Sequence, residues 1–92
     1  MTGSKFSAQL TSIVTDKRQI SPEERIDVKV FLEEAAVLEK VVAELEIKGL
    51  KIKSIEEGPN VMVTGNIAVK DITGINAVAE VDRVEYDRGS EI

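Results

Sequence analysis

Residues 25–32 read RIDVKVFL, and the aliphatic side chains Ile26, Val28, Val30 and Leu32 fall on every second position. A period of two belongs to a β-strand, whose successive side chains point to opposite faces; a helix would scatter these four around its circumference. The alternation constrains more than one element. A strand that is apolar on one face and carries Asp27, Lys29 and Phe31 on the other needs a sheet beside it and a helical layer over one side only. Phe31, an aromatic among charges, then falls on the uncovered side.

The flanking segments supply the other elements. Residues 4–14 place Phe6, Leu10, Ile13 and Val14 in one stripe, which predicts a short helix. Ser21, Pro22 and Glu24 have the form of a cap, a first helical position and a capping-box acid, so one turn of helix is expected at that junction. Ala35, Leu38, Val42 and Leu45 recur at helical spacing, with Glu33 and Glu34 at the start, Lys48 at the end and Gly49 as the stop; this predicts the strongest helix of the chain. Residues 50–55 alternate again, residues 56–60 (EEGPN) read as a turn, and residues 61–69 read as the hairpin partner, with Gly65 a bulge or a point of close approach. A short helix capped by Asp71 or Thr73 and carrying Ile75, Val78 and Ala79 leads into a last strand, DRVEYD.

Strand, helix, strand, strand, helix, strand is the order of an α+β, ferredoxin-like open-faced sandwich (βαββαβ). Its four-stranded antiparallel sheet carries two helices on one face, and here an extra N-terminal helix is added. Ninety-two residues suit one core. The boundaries expected are a helical extension over 1–24 and a βαββαβ domain with a C-terminal tail over 25–92.

Charge and composition narrow the function. Twelve Lys and Arg stand against 17 Asp and Glu, a net charge of -5, which disfavours phosphate backbones and anionic membranes as partners. Phe6, Phe31 and Tyr86 are the only aromatics, too few for a base-stacking platform. With no Cys and no His, thiolate nucleophiles, imidazole bases and the usual zinc sites are missing. No 18-residue apolar run and no leader-like segment occurs, so a cytoplasmic protein is expected. The adjacent acids Glu33–Glu34 and Glu56–Glu57 lack the unequal burial that acid–base catalysis by two carboxylates needs. Asp71, Asp82, Glu85 and Asp87 match no oxygen-rich metal loop. Arg25, Asn60, Asn66 and Asn76 could serve an acylphosphatase, but no phosphate-cradling loop surrounds Arg25. No catalytic residue, metal or cofactor is therefore assigned.

The segment 25–92, and above all Val81-Asp82-Arg83-Val84-Glu85-Tyr86-Asp87 as a strand of the type V-x-x-V-E-x-D, resembles the propeptides of subtilisin-like serine proteases and the stand-alone, propeptide-like inhibitors of those enzymes. The resemblance implies a binding protein that acts as protease inhibitor or intramolecular-chaperone-like folding assistant. Glu85 and Asp87 would cap the N-termini of two parallel helices on the protease. The open sheet face with Phe31 would pack on those helices, and the tail, Gly89, Ser90, Glu91 and Ile92, would enter the active-site cleft as a product-like strand. Because the chain stops where a scissile bond would lie, action in trans is expected. The alternative is a ferredoxin-like regulatory or interaction module, ligand-binding or homodimeric through sheet edges or the open face, with no protease partner.

Overall fold

In the computed structural model, which describes residues 5–34 and 36–87, the alternation of residues 25–32 becomes strand β1, Arg25–Leu32. Ile26, Val28, Val30 and Leu32 are buried, while Asp27, Lys29 and Phe31 are only half-buried. β1 lies inside an antiparallel four-stranded sheet of order β2-β3-β1-β4, with β2 at Lys51–Glu56, β3 at Met62–Ala68 and β4 at Val81–Tyr86. Three α-helices accompany it: α1 (Ala8–Ile20), α2 (Leu38–Ile47) and the single turn α3 (Thr73–Asn76), which a 3₁₀ turn at Val69–Asp71 precedes.

One apolar cluster holds these elements together. Leu10 and Val14 of α1 and Val41 and Leu45 of α2 pack with Ile72 and Ile75 against the buried residues of β1, β3 and β4. No described polar or charged residue is buried. The N-terminal helix thus shares the sheet's core. Area removed from water is the main favourable contribution here, about 1.5–3 kcal/mol for each fully buried aliphatic side chain.

Helix α1 starts later and runs longer than its apolar stripe predicts. Ser7 is the N-cap, its Oγ accepting from the Leu10 N–H at 3.2 Å, and Lys17 and Arg18 sit in the last turn, where the helix dipole favours cations. Phe6 leaves the helix altogether. It forms a parallel bridge with Val84: the Ser7 N–H donates to the Val84 carbonyl and the Val84 N–H to the Lys5 carbonyl, both at 2.9 Å. The stripe misled because a residue just before the cap can share the helix's apolar direction while its backbone pairs with a strand edge.

Two other expected helix starts are corrected. Ser21 closes α1, its N–H donating to the Lys17 carbonyl, and the carbonyls of Pro22 and Glu24 accept from Lys70 and Val69. With those groups committed to a neighbouring segment, no helix begins at the junction. Glu33 and Glu34 precede α2 without belonging to it. The Glu33 N–H donates to the Glu80 carbonyl, which keeps the chain extended past β1, and Glu39 is the acid in the first turn of α2. Val41 with Leu45 forms the buried pair of α2, and Val42 is half-buried; Ala35 lies outside the described residues. Neither Asp71 nor Thr73 caps α3 with its side chain, and Ala79 is exposed.

Two glycines are required by geometry. Gly49 ends α2 at φ 110°, a conformation that side chains resist. Gly65, buried in β3, is a point of close approach: a Cβ there would lie 2.6 Å from the Lys51 carbonyl oxygen. The irregularity in pairing falls on β2 opposite it, between Ile52 and Ser54.

Candidate functional site

The uncovered face of the sheet is assembled by register. Along β1, Asp27 stands beside Asn66, Lys29 beside Thr64 and Phe31 beside Met62 on one flank; on the other, Lys29 meets Glu85 and Phe31 meets Arg83. Directly opposed residues of antiparallel strands share a face. All of these side chains therefore lie on the side opposite Val28 and Val30, and none of them is buried.

At one end of this face, polar groups are tied together across three strands. The Asp27 carboxylate accepts from Asn66 Nδ2 at 3.0 Å and from Lys53 Nζ at 3.1 Å. Arg25 donates to the Asn66 side-chain oxygen and, at 3.1 Å, to the Asn66 carbonyl. The hydrogen bond from Asn66, followed by Lys53's hydrogen bond and charge, outweighs partial burial and holds the Asp27 carboxyl below its ordinary pKa of 3.8. Arg25 and Asn66, two of the residues considered for phosphate chemistry, do meet, but they are engaged with each other and with backbone.

The other end carries Phe31, and Glu85 and Asp87 follow along β4 from there back toward Asp27. Phe31 is half-buried, and the Arg83 guanidinium lies over its ring at 4.5 Å from the centroid. Arg83 Nε also contacts Glu85 Oε2 at 3.1 Å. A shallow depression of about 280 Å³ opens here, lined by Phe31, Leu32, Asn60, Asp82 and Arg83. Glu85 keeps 38 % of its side chain exposed. Asp87, just past β4, donates its backbone N–H to the Asp27 carbonyl at 2.9 Å and is half-buried. That bond continues the ladder beyond Tyr86 and holds Asp87 level with Asp27. Gly89, Ser90, Glu91 and Ile92 lie outside the described residues.

The structure therefore brings Phe31 and Glu85 into one neighbourhood through Arg83, a residue that sequence reasoning left without a role. Its signal was present: Arg83 and Glu85 are two apart on a strand and share a face. The network joining Arg25, Asn66, Asp27 and Lys53 was not legible, since it depends on the register of three strands. Among the described residues no three His, Cys, Asp or Glu side chains converge as a metal site, and no helix is long and apolar enough to cross a membrane. What the face offers is a mixed set of cations, acids and one ring, suited to contact with a surface. Compared with known proteins, the chain matches no family model, no curated protein and no solved structure.

Proposed function

We propose that this domain is a non-catalytic binding protein that docks on a subtilisin-like serine protease and acts in trans as inhibitor or folding assistant. The strand order β2-β3-β1-β4, with α2 and α3 in the two crossovers, fits the ferredoxin-like sandwich of that propeptide family, helices on one face and the other left for a partner.

The observation that carries the reading is the position of Glu85: on the uncovered face, part-exposed, beside Lys29 and in contact with Arg83, whose guanidinium lies over Phe31. Its contact with Arg83 does not hold it back. An exposed ion pair is worth about 0–1 kcal/mol, whereas a carboxylate on the free N–H groups of a helix N-terminus contributes about 0.5–2 kcal/mol. Exchanging one for the other costs at most about 0.5 kcal/mol and gains up to about 2 kcal/mol. Asp87, level with Asp27, continues the same row toward the tail.

Titration of a subtilisin-like protease with the purified domain tests this. Inhibition should appear, should weaken on removal of residues 88–92, and should weaken further in the double variant Glu85→Ala/Asp87→Ala. Inhibition that both changes leave intact, or none at any concentration together with no gain in refolding yield of the protease, removes the reading.

A further inference from the structure

The two edges of the sheet are treated differently. The outer edge of β4 is covered at Val84 by Lys5–Ser7, whereas among the described residues nothing pairs with the outer edge of β2. Every residue of β2 but Ile52 is exposed. Three of the four large apolar side chains left exposed among the described residues, Val37 at 60 %, Ile47 at 81 % and Ile55 at 38 %, belong to β2 or to the ends of α2, the element before it; the fourth, Ile20, ends α1.

The irregularity in β2 gives this edge an internal symmetry. Lys51 is in register with Asn66 and Glu56 with Met62, both on the uncovered face; Ile52 is opposite Gly65 and Ile55 opposite Val63, both on the covered face. Ser54 stands beside Thr64 on the uncovered face, and Lys53 reaches Asp27 there. The order of faces along Lys51–Glu56 is thus uncovered, covered, uncovered, uncovered, covered, uncovered, which reads the same in both directions. A regular strand of six residues has no such symmetry, because its two ends point to opposite faces.

We infer that the β2 edge pairs with the β2 edge of a second copy, antiparallel about a two-fold axis between Lys53 and Ser54, to make one eight-stranded sheet. In that register Lys51 faces the second copy's Glu56 twice, Ile52 faces Ile55 twice, and Lys53 faces Ser54, each pair on a common side of the sheet. The occupant follows from the charges. Edge lysines discourage strand addition by other chains, and a copy of this chain answers Lys51 with an acid at the matching place. Isologous pairing of this kind closes at two copies. It leaves β4 and the uncovered face of both copies accessible, so it is independent of the protease reading.

The edge is small enough for a weak interface, with half-association at roughly 100 µM. Sedimentation equilibrium on the full chain, up to about 1 mM, should show a monomer–dimer equilibrium. Lys51→Glu and Glu56→Lys each place like charges opposite one another in both symmetric pairs and should weaken the dimer about tenfold or more. An equimolar mixture of the two variants should restore it, because every acid in the mixed pair again faces a lysine. Both positions are exposed, so circular dichroism should match the wild type. A monomer throughout the range, a dimer that neither variant weakens, or a mixture no tighter than the separate variants overturns the inference.

Discussion

Replacing Gly65 by Ala adds a single methyl group at a point of β3 where the backbone of β2 comes within contact distance. The new Cβ would sit 2.6 Å from the Lys51 carbonyl oxygen and 3.0 Å from Leu50 Cγ and Cδ1. The leucine tip can turn aside, but the carbonyl is backbone in the neighbouring strand. Relief requires β2 to shift away from β3 at Ile52, which strains the pairing on both sides of its irregularity. Overpacking of this kind costs about 1–3 kcal/mol, against a total stability of roughly 5–14 kcal/mol for a chain of this length. In urea unfolding, with a slope of about 1 kcal/mol/M for a small domain, the midpoint should fall by about 1–3 M. Gly58→Ala is the control: its Cβ meets nothing within 4 Å, and its midpoint should stay where it is or rise slightly. Equal midpoints for Gly65→Ala and wild type would falsify the claim that close approach, more than strand conformation, demands glycine there.

Three further outcomes follow from the core, the open face and the first helix. Leu10→Ala, at a fully buried position, should lose about 2–5 kcal/mol by chemical denaturation, while Ile20→Ala, 79 % exposed at the end of the same helix, should change nothing measurable. Asp27 has its folded pKa lowered, so the stability it adds is present above the ordinary carboxyl value of 3.8 and is lost as pH falls through the lower, folded value. Carboxyl NMR titration should place Asp27 below 3.8 in the wild type and nearer to it in Asn66→Ala, whose thermal midpoint should also depend less on pH in the acid range. Ser7→Ala removes the acceptor for the Leu10 N–H and should destabilise by about 0.5–2 kcal/mol, with hydrogen exchange quickening first in the opening turn of α1.

Legibility in this chain follows the range of the interactions involved. β1 could be read residue by residue, because alternation at Ile26, Val28, Val30 and Leu32 is a property of the strand itself. The stop at Gly49 could be read for the same reason, since a positive φ is a local demand. The fate of Phe6 could not. Its side chain keeps the helical stripe's apolar character, and only the unpaired edge of β4, distant in sequence, draws its backbone out of the helix. Likewise the acids at 33 and 34 have the composition of a helix start, but the Glu33 N–H is bonded to the carbonyl of Glu80, distant in sequence.

The candidate site divides along the same line. Glu85 and Asp87 were legible as neighbours on one side of the last strand, and Phe31 as the odd residue on the polar side of β1. The meeting of Phe31 and Glu85 through Arg83 was decided by the antiparallel register of β1 with β4, which pairs Phe31 with Arg83 and Lys29 with Glu85. By itself the sequence determined which residues each element turns toward oil and which toward water, because that pattern is a matter of periodicity. Only the tertiary structure decided which edge is closed, which is open, and which charges stand together, because those depend on hydrogen bonds between segments that no local rule brings side by side.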